Sequence, residues 1–321
     1  MSPVMHLRLI VPPVGSEHVL DTLVADPRVT SIVRLPGAAH RPAGDVIECD
    51  VTREATSDIL SWLKSEGLYD DGAVAVATVD AAPSRNAQAA EKAAPGAPDD
   101  AVIWDAVVDQ AYNEAGGSWV YYAFLTLATM IASIAVITDS AILVVGAMVV
   151  GPEFGVVAAL AVGLFLRKAG LTRRSLSLLV KGFLLAIALT ALAALLARAA
   201  GWVDASDVTA ARPLTGFIWR PDKWSAVVAV LAGCAGVLSQ TAGRGNALVG
   251  VFISVTTVPA AGDLALSLAL WAPHQIGGSA AQLGINLAGM TVAGVLTLMA
   301  QRFIWRSYLR VRRRAGARVE A

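Results

Sequence analysis

From Trp119 onward the chain is written in apolar runs, each close to the roughly 20 residues a helix needs to cross a bilayer. Six such runs fall at about 119–138, 141–166, 176–200, 224–243, 246–271 and 281–304. Backbone in lipid must satisfy its own N–H and C=O groups, which restricts runs of this kind to helices. Tryptophans gather near their ends (Trp119, Trp202, Trp219, Trp224, Trp271, Trp305), where an aromatic belt sits. Of the 321 residues, 56% are hydrophobic and 16% charged, less charge than a soluble domain carries. The expectation is an α-helical polytopic membrane protein with about six transmembrane helices, residues 118–305.

Residues 1–80 have a different pattern. HLRLIVP alternates as a short strand, and Ser16 is placed to cap an amphipathic helix through Ala25. VTSIVRLP and DVIECDV read as strands around a Pro/Gly-rich connection at 36–44. Residues 52–66 read as a second helix, with Ile59, Leu60, Trp62 and Leu63 on one face and Gly67 as its stop. GAVAVATV closes the set as a strand. The order β-α-β-β-α-β is that of an α+β ferredoxin-like domain, expected in the cytoplasm. Residues 81–100, rich in Ala, Pro and Gly without period, read as a flexible linker. Residues 101–117 read as a juxtamembrane amphipathic helix with the stripe Ile103, Val107 and Ala111, or equally as a plain connecting helix.

Lys and Arg set the expected orientation. The total is uninformative, because 25 basic and 25 acidic residues cancel. The first residues lack the long apolar core of a cleavable signal, so the N-terminus is expected to stay in the cytoplasm. The loop after the second run then faces inside with Arg167, Lys168, Arg173 and Arg174. The next inside loop carries Arg244, and the tail 306–321 carries Arg306, Arg310, Arg312, Arg313 and Arg314. The opposite side receives Thr138–Ser140, the mixed-charge loop 201–223 and the uncharged WAPHQIGGSAA, so every loop agrees with one topology.

The second and fifth runs share an unusual feature: a proline near the centre followed by an acid. GAMVVGPEFG holds Pro152 and Glu153, and TTVPAAGD holds Pro259 and Asp263. Proline removes a donor and clashes with the preceding turn, while Gly151, Gly155 and Gly262 weaken the helix further. These five residues are the candidate breaks or hinges, with close helix packing through the small-xxx-small pair Gly151 and Gly155 as the competing reading, and freed carbonyls at such a break need protein or water around them. An ionised side chain near the bilayer centre costs about 2.5–3.5 kcal/mol on insertion scales. Glu153 and Asp263 are therefore candidate ligands for a solute or ion, joined by Asp139 and Asn246. The plain alternative is a protonated or hydrogen-bonded acid that glues helices together. For Thr129, Ser133, Ser239, Gln240, Thr256, Thr257 and Asn286 that plainer reading, an interhelical hydrogen bond, is favoured. Each half of the six runs holds an odd number of spans and one interrupted helix, the layout of a 3+3 inverted repeat with its site between the interruptions.

Other chemistry finds little support. Cys49 and Cys234 fall in different segments, so no disulfide is expected, and four histidines show no metal-ligand spacing. No GxSxG or Walker A motif appears, and no enzyme activity, metal, cofactor or nucleic-acid partner is expected.

The stretch ASIAVITDSAILVVGAMVVGPEFGVVAALAVGL resembles a bacterial membrane family known as domain-of-unknown-function family 389, the uncharacterised hydrophobic-domain proteins. The likeness rests on the short turn Thr138–Asp139–Ser140 and the run Gly146–Ala147–Met148 into Pro152. A second stretch, LAGCAGVLSQTAGRGNALVGVFISVTTVPAAG, carries Gly233, Ala235, Gly236, Gly250, Val251 and Pro259 in the places the family has them. The likeness spans about 100–305. The chain departs from the family at Asp139 (usually Asn), at Glu153 (commonly apolar) and at Ala260, which replaces the second proline of a pair. The resemblance implies a multi-pass protein of the bacterial cytoplasmic membrane and names no substrate. Two functions fit. One is a transporter or channel-like protein for a small solute or ion, bound between the two broken helices and regulated by the cytoplasmic domain. The other is a membrane-anchored sensor or scaffold whose soluble domain binds a metabolite or partner. A homodimer or higher homo-oligomer suits either, by analogy with how such small domains pair.

Overall fold

The computed structural model describes residues 4–94, 96–242 and 255–316. The chain divides into two compact units: one runs from the N-terminus to Val107 and takes in the end of the last helix from Phe303, and the other is Val108–Arg302.

In the first unit, strands β1 (Val4–Val11), β2 (Val29–His40), β3 (Ala43–Thr52) and β4 (Ala73–Thr78) alternate with helices α1 (Ser16–Ala25), α2 (Arg53–Ser65) and the single turn α3 (Leu68–Asp71). The sheet order is β2-β3-β1-β4, antiparallel throughout. Alternation works as period two requires: Leu7, Leu9 and Val11 of β1 and Ile47, Cys49 and Val51 of β3 are fully buried. Val19 and Leu23 of α1 and Ile59, Leu60 and Leu63 of α2 join them in one core. Gly67 ends α2 with φ +80°, a conformation that costs glycine little.

Three local expectations change. Ser16 is the first helical residue, with Gly15 at the cap position, and its hydroxyl donates to Asp45 at 2.6 Å. The Pro/Gly-rich stretch 36–44 is mostly strand, because irregularities between Leu35 and Ala39 absorb Pro36 and Gly37 and the chain reverses only at Arg41–Pro42. The stretch 81–100 contains helix α4 (Arg85–Ala93), capped by Ser84, whose Ala87 and Ala90 are buried. Alanine is both the best helix former and small enough to bury whole, so composition that reads as linker supports a packed helix here. Helix α5 (Trp104–Glu114) then leads into the second unit.

The second unit is helical: α6 (Trp119–Ile137), α7 (Ala141–Val150), α8 (Glu153–Phe165), α9 (Ala169–Ala199), α10 (Ala205–Thr209), α11 (Lys223–Thr241), α12 (Thr257–Ala269) and α13 (Pro273–Gly316). Among the described residues, four helices, α6, α9, α11 and 273–308 of α13, are long and apolar enough to span, and the α7–α8 pair, bent by 53°, has the length and composition of a fifth if it is one broken span and not a re-entrant loop. The expected run at 246–271 lies partly outside the described residues. Its described part, α12, has 13 residues and is about 20 Å long, too short to cross alone. Large side chains face outward around the unit, Ile142 at 84% and Leu196 at 63% exposure among them. A water-soluble surface does not carry such a girdle, but lipid covers it without cost.

Helix ends also move. Arg173 and Arg174, expected in a loop, lie within α9. WAPHQIGGSAA is almost entirely helical, because Pro273 suits the first position of α13. Gly278, lacking a side chain, lets the carbonyl of Trp219 close against it. The basic tail expected at 306–321 is helical through Gly316.

Candidate functional site

The α7–α8 interruption is where the sequence places it. Gly151 is extended (φ −65°, ψ 126°), Pro152 follows as the cap residue, and α8 starts at Glu153. The missing proline donor and the preceding extended residue are the local cause. Glu153 sits at the positive end of α8, where a carboxylate is favoured, yet the residue is only 7% exposed. Its Oε2 is buried with no hydrogen-bond partner among the described residues. The hydroxyl of Tyr121 is in the same condition and lies within electrostatic reach of Glu153.

The second interruption meets the first. A side chain placed on Gly151 would come within 2.7 Å of Val258 Cγ2, in the first turn of α12, and would overlap the Glu153 carboxylate. Pro259 lies in that first turn, where the N–H it lacks would have been unpaired, so it starts a helix and does not kink one. Val255 and Thr256 just before it are non-helical.

Two of the proposed hinges are packing glycines. A side chain at Gly262 would meet Ala132 Cβ at 2.8 Å and the Ser133 amide at 2.9 Å, so Gly262 brings α12 onto α6. Gly155 lies inside α8 and makes room for the Glu114 carboxylate. The bend belongs to Gly151 and Pro152 alone.

The other acids are occupied. Asp263, fully buried, accepts from Arg212 at 2.7 Å and from the Ser279 hydroxyl at 2.5 Å. Arg212 in turn donates to Gln275 at 2.6 Å, and Gln275 donates to the Val208 carbonyl at 2.9 Å. Both charges are thus neutralised and hydrogen-bonded, the condition for an ion pair away from water. Asp139, at φ +46° in the turn after α6, accepts from the amides of Leu214 and Thr215 and from the Thr215 hydroxyl at 2.8 Å. Both acids hold the α9–α11 connection. Asn246 lies outside the described residues. Thr129 and Ser133 donate to carbonyls of their own helix.

A cleft of about 270 Å³ opens at the start of α12, with Arg220, Asp222 and Ser225 among its lining and Thr256, Gln282 and Asn286 at one wall. Gln282 and Asn286 both donate to the Thr256 hydroxyl, at 3.0 and 3.1 Å. Gln282 Oε1 and Thr257 Oγ1 are buried without a hydrogen-bond partner among the described residues. Unpaired amide and hydroxyl groups beside a helix N-terminus can receive a polar solute or a water that a solute displaces.

Residues 148–292 match the model of the family described as Domain of unknown function (DUF389). The match agrees with the family resemblance, and the matched segment contains the α7–α8 break, the start of α12 and the polar wall of α13. No curated protein and no solved structure matches the chain. Among the described residues no group of three or more His, Cys, Asp or Glu could hold a metal ion. Sequence reasoning missed Arg212, Gln275, Ser279 and Gln282 of the matched segment. The last three, with Asn286, recur at three- or four-residue steps along α13 and are all buried. A polar stripe at helical period inside an apolar run is the signal that marks them. Arg212 has no such signal; only the unpaired charge of Asp263 asks for it.

Proposed function

We propose that this protein is a membrane transporter or channel-like protein for a small polar solute or ion, which passes where the α7–α8 break meets the start of α12. One observation carries the reading: Glu153, at the tip of a helix broken inside the apolar unit, keeps a carboxylate oxygen buried with no hydrogen-bond partner among the described residues. Such a group is costly unless it serves a proton, cation or solute. In this reading the chain makes six crossings as a 3+3 inverted repeat, α6 to α9 against α11 to α13, with a cleft wall of Thr256, Gln282 and Asn286 beside the pathway. The N-terminal unit is a ferredoxin-like domain on the cytoplasmic side of a bacterial inner membrane, and it regulates passage in a homo-oligomer. Asp263 is assigned to holding the structure closed, not to binding the solute.

The test is flux in liposomes containing the purified full-length chain. Proton- and cation-driven uptake is compared for wild type, Glu153→Gln and Asn286→Leu across a panel of small polar solutes. Loss of flux in Glu153→Gln, with unchanged thermal unfolding, is the expected result. A Glu153→Gln protein that transports like wild type would remove the reading.

A further inference from the structure

A second cleft, of about 500 Å³, lies between the first turn of α6 and the N-terminal half of α9. Gly117 and Tyr122 line one side, and Arg173, Arg174, Ser177 and Lys181 the other. At 100° per residue these four side chains share one face of α9, an arc of about 100°. No acid lines the cleft, and among the described residues none of the three cations has an ion pair. Glu114, the nearest acid along the chain, faces Gly155 of α8 instead. Gly117 precedes the α6 cap Ser118, so the positive end of α6 reaches the same cleft.

Depth identifies what such a cleft meets. A side chain placed on Gly182 would come within 2.9 Å of the Tyr121 ring and 3.0 Å of Leu125, so this close approach sets Lys181 level with the first turn of α6. That turn carries Trp119, 80% exposed, and Tyr122, residues of the kind that sit at the membrane interface. With that turn taken as the interface, Arg173 and Arg174, about 10–12 Å further along α9, fall outside the hydrocarbon at headgroup level. Basic residues that only fix orientation need no cleft and no common face. Here three of them, a serine hydroxyl and a helix N-terminus converge on one recess at phosphate depth.

We infer that this recess is a binding site for the phosphate-bearing headgroup of an anionic phospholipid. Its phosphate sits against Lys181 and Ser177, its outer headgroup against Arg173 and Arg174, and its acyl chains leave the recess past Leu178. The site is independent of the solute pathway. Each basic residue near an anionic surface contributes roughly a fivefold factor in affinity, and three together about 100-fold.

Delipidated full-length protein in detergent, titrated with short-chain phosphatidylglycerol and followed by native mass spectrometry, tests this. Wild type should bind phosphatidylglycerol in preference to short-chain phosphatidylcholine. Lys181→Gln should weaken binding about fivefold, and the triple variant with Arg173→Gln and Arg174→Gln about 100-fold. Lys181→Arg should restore it, and Arg198→Gln, at the far end of α9, should leave it unchanged. Equal binding of the two lipids, or a triple variant that binds like wild type, overturns the site. Inorganic phosphate competing at equal concentration overturns the lipid as its occupant. Should the triple variant fail to fold, the comparison of Lys181→Gln with Lys181→Arg decides alone.

Discussion

Arg212 and Asp263 are almost completely buried, so each depends on the other for its charge. Removing one partner, as in Arg212→Gln or Asp263→Asn, should cost about 3–5 kcal/mol, the range for breaking a buried pair. Replacing both with apolar residues of similar volume should recover most of that loss. Thermal unfolding in detergent of the singles and the double checks both statements. Asp45 is a different case. The Ser16 hydroxyl, the Gly37 amide and the Arg34 guanidinium hold its carboxyl down at about 2. The unfolded value is about 3.9, so its contribution to the sheet is complete above about pH 4 and disappears as pH falls toward 2. Amide hydrogen exchange of β3 between pH 4 and 2, corrected for intrinsic rates, should show this loss in wild type and not in Asp45→Asn.

At the scale of elements, two features of similar sequence do opposite work. Gly151 with Pro152 separates two helices, whereas Gly262 joins two. Gly262→Val should drive a side chain into Ala132 and the α6 backbone, destabilising by about 1–3 kcal/mol or more. Gly146→Val, at an open position on α7, should not, and detergent melting curves for the pair will show which applies. This distinction was not legible in the sequence. A glycine beside a proline and a glycine beside a facing backbone look alike until the second helix is placed. The apolar runs, the break at Pro152 and the strand-helix order of the first unit were legible, because periodicity and proline chemistry are local. The α4 helix was not, since alanine favours both a short packed helix and an unstructured stretch. Nor were the partners of Asp139 and Asp263, which lie 16 to 76 residues away along the chain.

For the molecule as a whole, taking the α7–α8 pair as one crossing puts three spans, α6, α7–α8 and α9, between the N-terminal unit and the α9–α11 connection. The N-terminal unit and the α9–α11 connection should lie on opposite sides. An impermeant maleimide should label Ser65→Cys from one side only and Ser206→Cys from the other. The background for this assay is favourable: Cys49 is fully buried, with its thiol pushed up to about 12 by that burial, and only Cys234 needs replacement by alanine. Labelling of both positions from one side would make the α7–α8 pair a re-entrant loop and not a crossing.

The connection between α9 and α11 supplies the arginine that balances Asp263 and the amides that Asp139 grips. A stretch that links two spans by an ordinary tether could be lengthened or nicked with little effect. Here cutting it would strand a negative charge in apolar surroundings, and that carboxylate would have to take up a proton or pull its helix toward water. The electroneutrality of the buried helices is therefore kept from outside them, by a segment that reads in the sequence as mere spacing.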